Sequence, residues 1–325
     1  MKRLLYFLTF FLCTFLQITP LILTHSSWTE QGNRRAQEDR YFPTDQESPL
    51  IQINGAYDAH FFGVYDGHGG DGAAQWAHAT LHKHLSKEFC KLLKKKEQLD
   101  DADVQQALSL SFITTSANYA CCYDGTTATV ALFMDSKLYC ANVGDTQAVL
   151  SRQGIARTLT TKHTVNNYYA ALQKNHRVQL YEDFATAYPQ YTRFPFTIEN
   201  LNLQHTQRSW SLMMQVHEQM FLLNLCRTLG DKVFSDHITA QPDISTIQIA
   251  PHDEFIIIAS DGLWDVIGLQ PAVDFINAQL STRGIAADQV DACIAQEIAR
   301  DLIRAAHGAS AHDNATATII FFNHQ

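Results

Sequence analysis

Two stretches of this sequence are continuously apolar and then stop on an aspartate. Phe61-Phe62-Gly63-Val64-Tyr65 runs into Asp66-Gly67-His68-Gly69-Gly70, and Phe255-Ile256-Ile257-Ile258-Ala259 runs into Ser260-Asp261-Gly262. Short apolar runs bounded by turn residues read as buried strands, so each one delivers a carboxylate at its mouth. The glycine after each aspartate frees the chain to turn sharply and lets a backbone carbonyl approach a ligand. Leu138 to Val143 also ends in an acid, at Gly144-Asp145, while Asp313-Asn314 immediately precedes the strand-like run Thr316 to Phe322. In an antiparallel sheet, an acid after one strand and an acid before its neighbour land on the same edge. Aspartates 66, 145, 261 and 313 are therefore expected to converge.

A single Asp-Gly after a strand is ordinarily a turn. Three strand-mouth acids, joined by Asp313-Asn314 and an early Glu38-Asp39 pair, resist that reading. Converging carboxylates repel one another and are costly to bury unless cations neutralise them. All the candidate ligands are oxygen donors, a set that suits Mg²⁺ or Mn²⁺ better than Zn²⁺. Two such ions about 4 Å apart can activate a bridging water and clamp a leaving oxygen, a common route to hydrolysing a phosphoester.

Further strands are expected at Thr127 to Phe133 and Ala148 to Ser151, with about 50 residues of helical character from Gly72 to Ala120, interrupted near Asp100. Val290, Cys293, Ile294 and Ile298 follow the spacing of one face of an amphipathic helix. Strands in succession with helices grouped between them point to an α+β layered fold. There is no glycine-rich phosphate loop and no internal repeat. Residues 164–225 scatter Tyr, Phe and Trp among polar residues, fit no strand alternation, and read as a flap or insertion.

At 325 residues and 46% hydrophobic content the chain can bury a sizeable core. Its formal net charge of −9 argues against nucleic-acid binding, and the basic run Lys91 to Lys96 is followed at once by acids, as at a solvated helix end. Seven cysteines without a Cys-x-x-Cys pair indicate neither a zinc ribbon nor a redox motif, and most read as small core residues. His78 and His82 share a helix face but have no acidic partner for a zinc site, so a solvated helix surface is expected. Asn314-Ala315-Thr316 has the form of a glycosylation acceptor, but its place beside Asp313 favours a structural role. Lys2 and Arg3 precede an uncharged run from Leu4 to Thr24, so residues 1–24 read as a signal peptide or membrane anchor that would export or tether the domain; without that function the protein would be cytoplasmic. The alternative is that Ile22 to Thr24 already begins the first strand.

From Ser27 to Phe322 the chain resembles the PPM-type metal-dependent protein phosphatases, also called type 2C. The motifs that carry the resemblance occur in order: Gly32-Asn33-Arg34-Arg35-Ala36-Gln37-Glu38-Asp39, Tyr65 to Gly70, Gly125-Thr126-Thr127-Ala128, Asn142-Val143-Gly144-Asp145, Cys226-Arg227-Thr228-Leu229-Gly230-Asp231, Ser260-Asp261-Gly262-Leu263-Trp264-Asp265 and Asp313-Asn314. The resemblance implies a four-layer α-β-β-α sandwich of two mainly antiparallel sheets flanked by helices, spanning 25–325, with a binuclear Mg²⁺ or Mn²⁺ site in the cleft between the sheets. It implies that Asp66 bridges both ions, that Asp39, Asp261, Asp313 and the carbonyl of Gly67 complete the shell, and that Glu38 acts mainly through water. It also implies that Arg34 binds phosphate, that His68 protonates the leaving serine or threonine oxygen, and that Asp145 and Asp265 hold an additional, weaker metal. The implied reaction is direct attack of activated water on phosphoserine or phosphothreonine in a phosphoprotein substrate, without a phosphoenzyme. No cysteine fits a Cys-x5-Arg thiolate site.

Two departures stand out: Leu159-Thr160-Thr161-Lys162-His163 has lysine where most members carry aspartate, and the residues up to Cys226 lack the usual glycine-containing pattern. They bear on substrate choice more than on chemistry. The competing reading is a binding or scaffold protein that kept the fold without activity; against it, every metal aspartate is in place. A hydrolase using His and Asn ligands would need histidines after the strands. With no heptad or exposed apolar stripe, a monomer is expected.

Overall fold

The computed structural model describes residues 21–44, 48–53, 57–164, 167, 212–216, 219–235, 238–310 and 312–323. Its strands are β1 (Ile22–Glu30), β2 (Arg40–Phe42), β3 (Leu50–Ile53), β4 (Tyr57–Tyr65), β5 (Gly67–His68), β6 (Gly125–Thr126), β7 (Ala128–Met134), β8 (Lys137–Val143), β9 (Gln147–Arg152), β10 (Ile155–Thr158), β11 (Leu212–Val216), β12 (Gln219–Leu223), β13 (Leu229–Gly230), β14 (Asp243–Gln248), β15 (Asp253–Ala259) and β16 (Ala315–Asn323). The helices are α1 (Gly72–Leu93), α2 (Asp101–Asn118), α3 (Asp261–Trp264), α4 (Leu269–Arg283) and α5 (Ala292–Ala309). One sheet runs β1-β16-β15-β9-β10 and a second β14-β8-β7-β4-β2 with β3 beside β4, every pair antiparallel.

Side chains on the central strands are divided by their parity. In β4, Phe61 and Tyr65 join the cluster beneath α1 and α2, while Phe62 and Val64 join the cluster between the two sheets. In β15, Phe255 and Ile257 pack toward α4 and α5, while Ile256 and Ile258 pack toward the other sheet. A strand buried on both faces has no polar side to alternate with, which is why these segments read as unbroken apolar runs. Three apolar layers separated by two sheets make the α-β-β-α sandwich the motifs led us to expect.

The helices fill the outer layers. α1 buries Ala73, Ala74, Ala77, Leu81, Leu85 and Phe89 along one side. α2 starts in a capping box, the Asp100 carboxylate accepting from Asp103 N–H and Asp103 reaching back to Asp100 N–H, two otherwise orphaned donors satisfied at once. α5 is capped by Asp291 and buries Ala295, Ile298, Ala299, Leu302, Ile303 and Ala306. That stripe corrects the sequence reading: Val290 lies before the helix and Cys293 is exposed, while Ile298 packs with Leu302, Ile303 and three alanines.

Other expectations need correction as well. His78 and His82 are not on a solvated surface: His78 Nδ1 is 3.0 Å from the Tyr41 carbonyl, and His82 stacks on Phe42 at 4.4 Å between ring centroids. Of the described cysteines only Cys140 is buried, with Cys121, Cys122 and Cys293 exposed. Within 164–225, β11 and β12 form an antiparallel hairpin, so this part of the segment is ordered strand after all. Residues 22–24 belong to β1, where Ile22 pairs with Asn323, as the alternative reading of the start had it. The rest of the apolar N-terminal segment, 1–20, lies outside the described residues; among those described, no helix is long and apolar enough to cross a membrane.

Candidate metal centre

The apolar filling between the sheets gives way at one end to hydroxyls and amides, and this polar end holds the acids. Asp66 leaves β4, and its backbone is pinned on both sides: its N–H donates to Thr127 Oγ1 at 3.0 Å, and its carbonyl accepts from Thr127 N–H at 2.9 Å and from Thr126 Oγ1 at 3.1 Å. Asp145 follows β8 through Gly144, whose φ of +93° belongs to the region L side chains rarely adopt. Asp261 leaves β15 as the first residue of α3, and Asp313 precedes β16, the antiparallel neighbour of β15.

The two sheets are fastened together at this end. Ser260 Oγ donates to Asp39 Oδ2 at 2.8 Å and accepts from Thr316 N–H at 3.0 Å, linking the loop before β2 to the other sheet. Asn314 is buried; its Oδ1 accepts from Glu38 N–H at 2.8 Å, and its amide donates to the carbonyls of Gln31 at 2.7 Å and Ala36 at 3.0 Å. The Asn-x-Thr sequence is thus a structural clamp on the loop that carries Arg34, Glu38 and Asp39. Gly262 lies so close to this clamp that a Cβ there would sit 2.0 Å from the Asn314 carbonyl oxygen. At Gly67 a Cβ would sit 2.6 Å from the Glu38 carbonyl oxygen, so the backbone carrying the proposed carbonyl ligand runs directly against the loop carrying Glu38.

Carboxylate oxygens of Asp66, Asp145 and Asp261 all lie within 4.8 Å of one another. Burial, then the charges of Asp39, Asp261, Asp145 and Asp313, push Asp66 well above the usual carboxylate range. Burial followed by Asp145, Asp313, Asp265 and Asp39 pushes Asp261 up to about 8. Asp39 is raised to about 6, chiefly by burial and then by Asp313 among its like-charged neighbours, and its Oδ1 has no hydrogen-bond partner. Asp145 is raised by burial, with Lys162 opposing the shift. Carboxyls so crowded are ionised together only beside cations, and an unpartnered buried oxygen is a ligand position without a protein donor. An all-oxygen set of this kind fits Mg²⁺ or Mn²⁺.

The remaining residues singled out in the sequence lie around this cluster. Arg34 is half exposed, its Nη2 donating to Asp313 Oδ2 at 2.6 Å and its Nε to the His312 carbonyl at 3.2 Å. His68 Nε2 is 2.7 Å from Asp231 Oδ2. Burial works against the imidazolium there, but Asp231, then Asp145 and Glu38, outweigh it and hold the His68 pKa above that of a free imidazole. Asp265 points outward, 65% exposed, and pairs with Lys162 Nζ at 2.8 Å.

Three participants went unassigned in the sequence. Asp231 sits inside a motif already noted; it is 2% exposed, at φ +46°, and packed so tightly on Gly125 that a Cβ there would overlap its carboxylate. Ser260 precedes a recognised aspartate, and its place before a short helix was the available signal. The ion pair of Lys162 with Asp265 joins residues 103 apart and left no local trace.

A family model described as Protein phosphatase 2C matches residues 24–169 and 200–315. Among curated proteins, the chain is 28% identical over 260 residues to probable protein phosphatase 2C 30 of Arabidopsis thaliana, covering 78% of this chain and 56% of that protein. It is 31% identical over 257 residues to protein phosphatase 2C homolog 3 of Schizosaccharomyces pombe, covering 73% of this chain and 52% of that one. The chain thus spans about half the length of these relatives. Among solved structures, serine-threonine phosphatase 2C from Toxoplasma gondii superposes with a TM-score of 0.61 at 19% identity, over 94% of this chain and 98% of that one. A C. elegans sex determining protein superposes with a TM-score of 0.62 at 19% identity, over 93% of this chain and 65% of that one. At such identities these two speak for the fold.

Proposed function

Because the chain belongs to the protein phosphatase 2C family, we propose that it hydrolyses phosphoserine and phosphothreonine esters on proteins at a binuclear Mg²⁺ or Mn²⁺ centre. The observation that carries this reading is the convergence of Asp66 and Asp261, from strand ends of the two sheets, with carboxylate oxygens within 4.8 Å of each other and of Asp145 beside them. Held by Asp39, Asp66, Asp261, Asp313 and the carbonyl of Gly67, with Glu38 acting through water, two divalent ions would supply Lewis acidity to activate the attacking water and offset charge on the phosphoryl group.

The chain's own residues do the rest. Arg34, exposed on its loop, offers a guanidinium fork that matches two oxygens of a phosphate dianion and orients it. His68 donates a proton to the departing serine or threonine oxygen. Its Nε2 is engaged by Asp231, which leaves Nδ1 to carry that proton, and Asp231 both fixes the ring and favours its charged form. Thr126 and Thr127 hold the Asp66 backbone so that its carboxylate stays at the mouth of the strand.

In this reading the protein acts as a single chain, and the apolar segment before β1 exports or tethers it. Phosphate release from a phosphothreonine peptide by the full chain, compared in Mn²⁺, Mg²⁺ and EDTA, tests the reaction. Release that requires either metal and ceases in EDTA is the expected result; a folded protein that binds Mn²⁺ yet releases nothing would favour the scaffold reading.

A further inference from the structure

Two of the acids around this centre, Asp313 and Asp265, are each met by a long cationic side chain. On the Asp313 flank stands Arg34. On the other, Lys162 Nζ contacts Asp265 at 2.8 Å, and the residues on either side of it are bonded to the turn that presents Asp145. Lys162 is better covered than its partner: 25% of its side chain is exposed, against 65% of Asp265.

The position of this lysine is held by the turn that presents Asp145. Asn142 Nδ2 donates to the Thr161 carbonyl at 2.8 Å, and His163 N–H donates to the Gly144 carbonyl at 2.8 Å, so the residues on either side of Lys162 are bonded to those just before Asp145. Its own carbonyl accepts from Asn167 Nδ2 at 2.9 Å. The His163 ring, buried, anchors the segment from below through Asp243 at 2.9 Å. An ordinary surface lysine samples many rotamers and contributes little through an ion pair. Here the backbone at both ends of the residue is fixed relative to the carboxylates it faces.

Building on the binuclear reading above, we propose that Lys162 is a built-in counter-cation that takes the place of any additional divalent ion at Asp145 and Asp265, so that the centre of this chain is complete with two metal ions. A monovalent ammonium on a fixed backbone pairs with Asp265 beside Asp145 without dissociating, and a divalent ion brought to these carboxylates would meet like charge at short range.

The test is a titration of Mn²⁺ into the metal-free full chain, following free Mn²⁺ by electron paramagnetic resonance, for the wild type, Lys162→Gln, Lys162→Asp and Asp265→Asn, with circular dichroism to confirm folding. The wild type and Asp265→Asn should each bind two ions. Lys162→Gln and Lys162→Asp should each take up one more, roughly tenfold or more weakly than the first two, since it gains only peripheral carboxylates over water. Adding Asp265→Asn to Lys162→Gln should remove that ion. If the wild type bound a third ion that Asp265→Asn abolished, or if neither Lys162 variant bound more than the wild type, the lysine would be an ordinary ion pair and the proposal would fail while the binuclear reading stood. A wild type that bound no Mn²⁺ would overturn both.

Discussion

Replacing Asp39 by asparagine should stabilise the metal-free protein, although it removes a proposed metal ligand. Asp39 is 2% exposed, and burial with the neighbouring charge of Asp313 raises its pKa from 3.8 to about 6. A carboxylate whose folded-state pKa is raised favours folding while protonated, and that contribution is lost as pH rises from about 4 through about 6. With the carboxyl moved from 3.8 to about 6, ionised Asp39 costs the native state about 3 kcal/mol at pH 8, falling to about 1 kcal/mol at pH 4.5. Asparagine fills the same volume, keeps an oxygen for the Ser260 hydroxyl now bonded at 2.8 Å, and turns its amide toward the remaining acids. In urea unfolding with EDTA, Asp39→Asn should therefore exceed the wild type by about 3 kcal/mol at pH 8 and by much less at pH 4.5. Saturating Mn²⁺ should reverse the order at pH 8, because the wild type gains more binding energy. A variant less stable than the wild type in EDTA at pH 8, or a gap independent of pH, would refute the argument that burial, aided by the charge of Asp313, makes ionised Asp39 costly to the metal-free fold.

Asp66→Asn should abolish phosphate release while leaving the circular dichroism spectrum unchanged, since it removes the charge of the proposed shared ligand with little change in volume. Asp231→Asn should lower turnover at pH 8 by at least roughly tenfold. It should also move the alkaline limb of the pH–rate profile downward, because His68 loses the group that raises its pKa and so gives up its proton earlier as pH rises; an unshifted limb would remove Asp231 from the mechanism. Gly262→Ala places a methyl 2.0 Å from the Asn314 carbonyl oxygen and should cost about 1–3 kcal/mol, measurable by thermal unfolding, while weakening Mn²⁺ binding by parting Asp261 from Asp313. For Lys162→Asp the expected outcome is an extra bound ion, as set out above.

What the sequence revealed and what it hid follow from range. A strand covered on both faces has no exposed side for polar residues to alternate on, so the apolar stretches of β4 and β15 were visible as runs, and the aspartates that follow them stood out by contrast. The face of α5 was misread at Cys293 because half of the buried stripe is Ala295, Ala299 and Ala306, and alanine marks no face in a pattern of large apolar residues. The β11–β12 hairpin escaped notice because His217-Glu218 between its strands carries none of the Asn-Gly or Gly-rich signature of a two-residue turn. Asp231 meets His68 across 163 residues, and locally its Gly-Asp step reads only as a turn. Lys162 was visible as a departure from the family pattern, but its partner could be found only once β8, β9 and β15 had brought Asp145 and Asp265 near it.

The pairing of β1 with β16 also sets a timetable for synthesis. Nine residues of β1 are matched to β16, with Ser27 and Thr318 bonded across a separation of 291 residues. On a ribosome adding about 5–20 residues per second, β1 waits roughly 15–60 s for its partner. The second sheet, with α1 and α2, needs far shorter loops apart from β14 and can gather during that interval. Asp39, Asp66 and Asp145 are therefore translated long before Asp261 and Asp313, and the sheet that delivers the last two closes only when β16 arrives. A nascent or prematurely terminated chain accordingly carries Asp39, Asp66 and Asp145 without Asp261 and Asp313, so the proposed centre can assemble only after β16 has been made.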